Sequence, residues 1–260
     1  MNVKNADMQI NVLGPAELWV RGTRLDLGPA KQRALFVRLL LGRGWHVPLE
    51  QLLDDLWGCQ GARAAHSSVY VYINRLRTLL EPQRKRYGNS EILVLENAGY
   101  SLRLPEGAVD ADRFKKALPE ARRLLEGGET AAASEKIDRA LGQWRGRAYA
   151  DAADYPFAAQ EIAHLEALHL EAYELKITAM IEQREYAEAA ASAQWLTARE
   201  PLRETGWALL MRSLCLAGRH AEALQQYNRA RETFEHTLGL EPGAALKDLR
   251  TMILHHQLVA

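Results

Sequence analysis

One stretch of the chain carries the side chains needed to recognise a polyanion: residues 62–81, ARAAHSSVYVYINRLRTLLE. At about 100° per residue, a helix here puts its apolar side chains on one stripe. That stripe consists of Val69, Ile73, Leu76 and Leu80, with Tyr72 and Leu79 at its edge. No Asp or Glu occurs between residues 60 and 80, so the opposite face is polar and cationic.

This outer face combines the two kinds of side chain that bind DNA. Short or planar polar groups reach base edges in a major groove, and arginines neutralise phosphates. The residues predicted to face the bases are Arg63, Ser67, Tyr70, Val71, Asn74 and Thr78. Arg75 and Arg77 flank them and are predicted to hold phosphates. A solvated amphipathic helix accounts for this segment equally well, so the choice depends on the surrounding elements.

The elements around this helix follow the order of a winged helix-turn-helix. Alternating residues predict a small antiparallel sheet, and Pro29 suits the first turn of a helix that ends near residue 41. Lys31 and Arg33 lie near the start of that helix, where the helix dipole disfavours cations, which favours an external anion. The remaining predicted elements are strands in 9–27, a short helix from 48, a turn at 58–61, strands at 92–95 and 100–104, and a turn at 97–99. We therefore predict an α+β winged-helix domain over residues 8–105.

The second part of the chain, residues 108–260, predicts an all-α domain of helical repeats. Ala187-Glu188-Ala189 returns as Ala221-Glu222-Ala223 at an offset of 34 residues, the tetratricopeptide period. Such repeats stack into a surface that binds proteins or, less often, a small ligand; a plain helical bundle is the alternative. Helices are predicted at 111–125, 130–144, 157–182, 186–199, 202–216, 220–238 and 244–258.

Composition and charge exclude several classes of protein. The sequence has no long apolar run for a membrane span and no apolar core of a signal peptide, and Cys59 and Cys215 lack metal-site spacing. No phosphate-binding glycine motif or catalytic grouping is present, so we expect a cytoplasmic protein that is no enzyme and needs no cofactor or metal. The first 105 residues hold 14 Lys and Arg against 9 Asp and Glu, a net charge of +5, and the remainder has −5. This asymmetry favours a nucleic-acid-binding first part.

Motifs in both parts resemble one family of regulators. GPAKQRAL, LLDDLWG, VYINRLRTLL and AGYSLRL resemble the OmpR-type DNA-binding domain, in the branch of the Streptomyces antibiotic regulatory proteins, the SARP family. ALGQWRGRAYAD, REPLRETGWALLMRSLCLAGRHAEALQQY and LGLEPGAAL resemble the bacterial transcriptional activation domain that follows it in that family. Response regulators of the OmpR type carry a preceding receiver domain; only about seven residues precede the first strand here, so we do not expect a phosphorelay output protein.

The resemblance implies a function and further site residues. It places the helix at 62–80 in the major groove and the hairpin with Asn97 and Tyr100 against the minor groove. Arg84, Lys85 and Arg86 would contact either the DNA backbone or RNA polymerase. The family binds direct repeats in double-stranded promoter DNA near the −35 element, which implies a head-to-tail homodimer about one helical turn apart, and it recruits RNA polymerase through its sigma factor region to secondary-metabolite genes.

Two other functions remain open from the sequence. One is a repressor or ligand-gated regulator, in which the repeat domain holds a small-molecule effector or a second messenger. Arg145, Arg147, Arg199 and Arg203 could bind an anionic effector, although solvated arginines explain them equally well. The other is an adaptor whose winged helix binds protein, which the basic first part disfavours.

Overall fold

The computed structural model describes residues 8–85 and 88–255, except for the side chains of residues 59–64. Residue contacts group the chain into two compact units. The first takes residues up to 116 together with Gly142–Ala167, and the second takes Ala117–Leu141 with the residues from 168 onward. The predicted fold class, a winged helix followed by a helical domain, is confirmed. The domain limits 8–105 and 108–260 stay a prediction.

The first unit begins with a three-stranded antiparallel sheet. Its strands are β1 (Met8–Asn11), β2 (Glu17–Val20) and β3 (Thr23–Leu25), in that order. Alternate residues such as Ile10 and Leu18, which pair across β1 and β2, are fully buried. The two-residue turn at Arg21 and Gly22 has positive φ at both positions, which matches the right-handed twist of a tight hairpin.

The predicted recognition segment lies in the second of two helices that follow the sheet. Helix α1 (Ala30–Leu41) buries its apolar side Leu35, Phe36 and Leu39 as predicted. Helix α2 (Leu49–Leu80) is interrupted at Gly58, whose φ of 70° and ψ of 167° are not helical. The sequence predicts a turn over residues 58–61, but in the structure Gly58 alone departs from helical geometry. The residues after it are already helical. We call the part of α2 after Gly58 the recognition segment.

A second antiparallel sheet forms the wing. Its strands lie in the order β4 (Val47–Pro48), β6 (Gly99–Leu102) and β5 (Leu93–Glu96). The predicted hairpin is therefore present, and β4 is an additional strand that is too short to show a sequence pattern. Asn97 and Ala98 form the turn with φ values of 42° and 61°. Gly99 lies so close to β4 that an added Cβ would collide with the Val47 carbonyl and the His46 ring.

Helices make up most of the rest of the described chain. Their bounds are α3 (Asp110–Glu126), α4 (Thr130–Leu141), α5 (Pro156–Glu182), α6 (Tyr186–Arg199), α7 (Glu204–Leu216), α8 (His220–Leu238) and α9 (Ala244–Leu254), with a short 3-10 helix at Ala150–Ala152. Helix α4 ends three residues earlier than predicted, and Trp144 instead packs edge-on against Phe114 at 5.3 Å between ring centroids. None of these helices, within the part of the chain described, is long and apolar enough to cross a membrane.

The predicted repeat organises the core of the second unit. Ala189 and Ala223, which are equivalent at the offset of 34 residues, are both fully buried. Small side chains at these positions let neighbouring helices approach closely. Larger residues such as Trp207, Tyr227 and Phe234 fill the space between α6, α7, α8 and α9. The alternation of small and large residues therefore specifies a helical stack.

Candidate nucleic-acid interface

The recognition segment buries one face and exposes the other as the sequence predicts. Val69, Ile73, Leu76 and Leu80 are at most 3% exposed. The exposed residues include Ser67, Tyr70, Val71, Asn74, Arg75 and Thr78. Arg63 lies among the residues whose side chains are not described. The exposed face is thus set by apolar packing on the opposite side, and it carries polar, cationic and apolar groups without an acid.

Tyr70 and Val71 lie in the middle of this exposed face. Their exposed fractions are 48% and 46%, which is high for side chains of their size in a helix that has an apolar core beside it. Rotation of the helix about its own axis would turn these two side chains toward the core. Exposed apolar groups in this position can contact the methyl group of thymine, and a neighbouring amide such as Asn74 can bond to both groups on an adenine edge.

Arg77 joins the recognition segment to the wing. Its Nε donates to the Leu93 carbonyl at 3.0 Å, and its guanidinium lies 5.6 Å from the centre of the Tyr100 ring. Burial lowers the pKa of Arg77, and the nearby Tyr100 opposes that shift, but a guanidinium stays charged at any physiological pH. Arg77 therefore positions the wing beside the helix, whatever it contributes to phosphate binding.

The two predicted wing residues differ in exposure. Asn97 is exposed at the turn, where a DNA backbone could reach it. Tyr100 is only 2% exposed, and burial raises the pKa of its hydroxyl. Its ring lies under the wing against Arg77, so in this conformation its side chain supports the hairpin from within. Direct DNA contact by Tyr100 remains a prediction.

Lys31 and Arg33 have partners inside the first unit. Lys31 donates its Nζ to the Leu56 carbonyl and lies over the rings of Trp57 and Tyr155, 5.4 and 5.1 Å from their centres. Arg33 binds Asp151 at 2.6 Å and donates to the Gly28 carbonyl at 2.6 Å. These internal contacts explain why cations occur at the start of α1. The inference that the helix dipole there requires an external anion is therefore not needed.

The cations between the recognition segment and the wing also differ. Arg84 is partly buried and donates to the Gly88 carbonyl at 2.6 Å, whereas Lys85 is exposed. Arg86 lies outside the described residues. Of this group, Lys85 is the cation that the described structure presents to a partner.

Sequence reasoning did not identify the acid and rings that hold the cations of α1. Asp151 lies 118 residues after Arg33, to which it binds, and Phe157 lies 5.6 Å from the guanidinium of Arg38. The segment 145–157 is rich in Asp, Ala and Tyr, which was the available signal. That composition does not indicate which distant residues it contacts.

The arginines considered for an anionic effector have acidic partners. Arg145 binds Glu17 at 3.1 Å and Arg203 binds Glu174 through two nitrogens at 2.6 and 3.0 Å. Arg147 lies 3.9 Å from Glu166, and Arg199 lies 4.0 Å from Glu200. Each of these four arginines therefore has its own carboxylate partner. Among the described residues, no cluster of His, Cys, Asp and Glu could hold a metal ion.

Comparison with known protein families assigns both parts of the chain. The family described as "Transcriptional regulatory protein, C terminal" matches residues 22–102. The family described as "Bacterial transcriptional activator domain" matches residues 109–254. The first match contains the recognition segment and the wing, and the second contains the helical repeats.

Individual proteins match over almost the whole chain. Regulatory protein DnrI of Streptomyces peucetius is 32% identical over 250 residues, which cover 95% of this chain and 92% of that protein. Regulatory protein AfsR of Streptomyces coelicolor is 34% identical over 248 residues, which cover 95% of this chain and 24% of that protein. The chain thus spans about a quarter of the length of AfsR.

A solved structure has the same fold. It is that of Mycobacterium tuberculosis EmbR in complex with a low affinity phosphopeptide. The TM-score is 0.86 and the sequence identity 29%, and the match covers 96% of this chain and 65% of the EmbR chain.

Proposed function

Because the chain belongs to the SARP family of transcriptional regulators, we propose that it activates transcription by binding direct repeats in promoter DNA. The recognition segment enters the major groove, with Ser67, Tyr70, Val71, Asn74 and Thr78 toward the bases, as Arg63 would also be. Arg75 and Arg77 lie toward phosphates, and Asn97 in the wing reaches the neighbouring backbone. Lys31 and Arg33 are left out of this interface because their partners are internal.

The observation that carries this proposal is the exposed face of the recognition segment. It presents an amide, hydroxyls, a guanidinium and two exposed apolar side chains on one helix, and no acid lies between residues 60 and 80. A B-DNA major groove admits a helix and displays acceptors, donors and thymine methyl groups that match these side chains. A merely solvated face would not require Tyr70 and Val71 to be half exposed.

Direct repeats determine how two copies bind. Each winged helix occupies one half-site, and head-to-tail half-sites one helical turn apart are spaced by about 10–11 base pairs. We propose that the protein binds such sites as a homodimer and recruits RNA polymerase, with Lys85 and the neighbouring Arg84 and Arg86 as the polymerase or backbone contact. As membership of the SARP family implies, we propose that the target genes are those of a secondary-metabolite pathway.

The experiment that tests this function is a selection of bound duplexes from random DNA. It uses the full-length protein at about 150 mM salt, where non-specific phosphate binding is weak. We expect a tandem motif with one-turn spacing. Enrichment of no motif by the wild-type protein would contradict the proposal, and a single unrepeated motif would contradict the head-to-tail arrangement. Asn74→Ala in the same selection should change the motif at one position, since it alters the exposed face without touching the core.

A further inference from the structure

A cavity of about 650 Å³ lies within the first unit, away from the recognition segment. Its wall takes residues from the end of α1, from the end of β6 and the residues after it, from the start of α3, and from Tyr149. Small-molecule sites in proteins usually measure roughly 300–1,000 Å³. The cavity is therefore large enough for a compact organic ligand.

The floor of this cavity is apolar. Leu40, Leu102 and Val109 line it and are each at most 8% exposed. An apolar body placed against them would be removed from water on that side, which is the main source of affinity for small ligands. The floor alone would accept any apolar molecule, so the polar groups must specify the ligand.

Tyr149 supplies a polar group without a partner. The residue is 4% exposed and lines the cavity, and its hydroxyl makes no hydrogen bond within residues 8–85 and 88–255. The hydroxyl is not one of the fully enclosed polar atoms without a partner, so it is open to the cavity and available to a ligand there. Burial raises the pKa of this hydroxyl far above its usual range, and the Glu161 carboxylate adds to the shift, so the group keeps its proton and can donate it in a hydrogen bond.

Four cations line the rim of the cavity, and each of them pairs with a carboxylate. Arg43, Arg103, Lys115 and Lys116 line it, against the acids Glu106 and Asp112. Arg43 binds Glu161 at 2.8 Å through Nη2, and Arg103 binds Glu96 through Nη2. A guanidinium has five N–H donors, so each of these arginines retains donors for a second anion after binding one carboxylate. The rim can thus hold an anionic group at the mouth of an apolar cavity.

The backbone at two of these positions is unusual. Tyr149 and Arg43 have φ values of 50° and 49°, in the left-handed region that residues other than glycine rarely adopt. Such conformations persist where the surrounding structure holds them, and they are enriched at binding sites. Here they bring a hydroxyl and a guanidinium to the same cavity.

From this combination we infer that the cavity binds a small organic anion, with a carboxylate or phosphate group at Arg43 and an apolar body against Leu40, Leu102 and Val109. Tyr149 donates a hydrogen bond to the same ligand. The site contains residues of both family matches, since Leu102 belongs to the first and Val109 and Tyr149 belong to the second. It is separate from the proposed DNA-binding face and does not depend on that proposal.

The test is isothermal titration calorimetry of the full-length protein with three probes that share one apolar body. They are 1-naphthoate, 1-naphthyl phosphate and the neutral 1-naphthalenemethanol. We expect saturable binding of one anionic probe per chain with a Kd on the order of 100 µM, and weaker binding of the neutral probe. The stronger of the two anions tells whether the site favours a carboxylate or a phosphate.

Three variants localise the binding. Arg43→Gln should raise the Kd of both anionic probes about fivefold, because a charged hydrogen bond is lost, and should leave the Kd of the neutral probe unchanged. Tyr149→Phe should weaken the binding of every probe that accepts a hydrogen bond from the Tyr149 hydroxyl. The matched control is Arg24→Gln, since the Arg24 side chain is 60% exposed and binds one carboxylate, as the 61% exposed Arg43 does.

Two results would overturn this assignment. One is the absence of saturable binding by both anions at millimolar concentration. The other is an equal loss in Arg24→Gln and Arg43→Gln, which would mean a general attraction between anions and surface arginines. Should Tyr149→Phe fail to fold, the comparison of Arg43 with Arg24 still gives one of these answers.

Discussion

Arg75 and Arg77 are two residues apart on one helix, and the fold gives them different environments. Arg75 is exposed on the predicted DNA-binding face, whereas Arg77 is half buried against Leu93 and Tyr100. A helix turns about 100° per residue, so two positions along are enough to move a side chain from the solvent face to the wing. Equal residue types therefore have unequal roles here.

Replacing Arg75 with Ala should weaken DNA binding on every sequence. The expected change is a loss of about one unit in the slope of log K against log salt concentration, because one fewer counterion is released. Fluorescence anisotropy on a selected duplex and on a random duplex at several salt concentrations measures it. Arg139→Ala, on an exposed arginine of α4, is the control. A change of preference at one base pair would contradict the assignment of Arg75 to a phosphate.

Replacing the neighbouring Asn74 with Ala should act on sequence preference instead. An amide that bonds to both groups of an adenine contributes about 1–3 kcal/mol of discrimination, so the variant should lose preference at one position and keep the wild-type salt slope. Repeating the duplex selection measures this. Arg75→Ala is the reciprocal control, and an unchanged motif together with a reduced salt slope would mean that Asn74 contacts phosphate.

His169 makes the stability of the second unit depend on pH. Burial, followed by the charge of Arg199, lowers the pKa of His169 from 6.5 to about 4. Between these values the unfolded chain binds a proton that the folded chain does not. The stability that depends on a neutral His169 is therefore complete above pH 6.5 and is lost as the pH falls toward 4.

The measurement for His169 is urea unfolding at a series of pH values. His169→Phe should reduce the loss of stability between pH 6.5 and 4, and the new ring can still pack on Tyr173, which lies 5.1 Å from the imidazole. The exposed His236, replaced with Phe, is the control. Equal pH profiles for wild type and His169→Phe would mean that the imidazole protonates in the folded state as it does in water.

Among the elements, the wing depends most on a single position. The carbonyl of Val47 and the ring of His46 occupy the space beside Gly99, so β4 can pair with β6 only when residue 99 has no side chain. Arg77 then fastens β5 to the recognition segment. The orientation of the hairpin follows from these close contacts more than from its strand pattern.

Replacing Gly99 with Ala should lower the free energy of unfolding of the first unit by about 3 kcal/mol, because a backbone atom obstructs the methyl group. Gly22→Ala is the matched control in another turn, where an added Cβ meets nothing and the positive φ alone costs about 1 kcal/mol. Urea unfolding measures both. Equal losses would mean that β4 moves away to make room.

In the whole molecule, the segment Gly142–Ala167 completes the unit that contains the winged helix. Arg145 and Tyr149 donate backbone hydrogen bonds to the carbonyls of Leu13 and Val12, both at 2.7 Å. Asp110, at the start of α3, accepts from the backbone N–H of Val12 at 2.8 Å. The loop after β1 therefore has its backbone groups satisfied by residues that lie 98 or more positions further along the chain.

Asp151→Ala tests that dependence. Asp151 binds Arg33 at 2.6 Å and accepts from the backbone N–H of Ala16 at 2.7 Å, so its removal leaves two donors unpaired. We expect a loss of about 2 kcal/mol in the unfolding free energy of the first unit. Asp154→Ala, an exposed acid in the same loop, should change it by less than about 0.5 kcal/mol. Equal effects of the two would mean that the loop is not needed for the winged helix.

Local patterns were sufficient for much of this fold. The apolar stripe of the recognition segment, the paired alanines at 189 and 223 and the turn at Asn97 follow from the period of neighbouring residues, and the structure confirms each. Helix ends were less predictable, as the early end of α4 and the narrow break at Gly58 show, because a terminal residue can pack elsewhere at little cost.

The sequence alone established the two kinds of fold, the face that the recognition segment exposes and the family, because each depends on residues close together in the chain. The internal partners of Lys31 and Arg33, the burial of Tyr100 and the cavity beside Tyr149 came from the tertiary structure. Arg33 meets Asp151 across 118 residues of chain. A contact over that separation leaves no local period in the sequence, since it exists only once the intervening elements have folded.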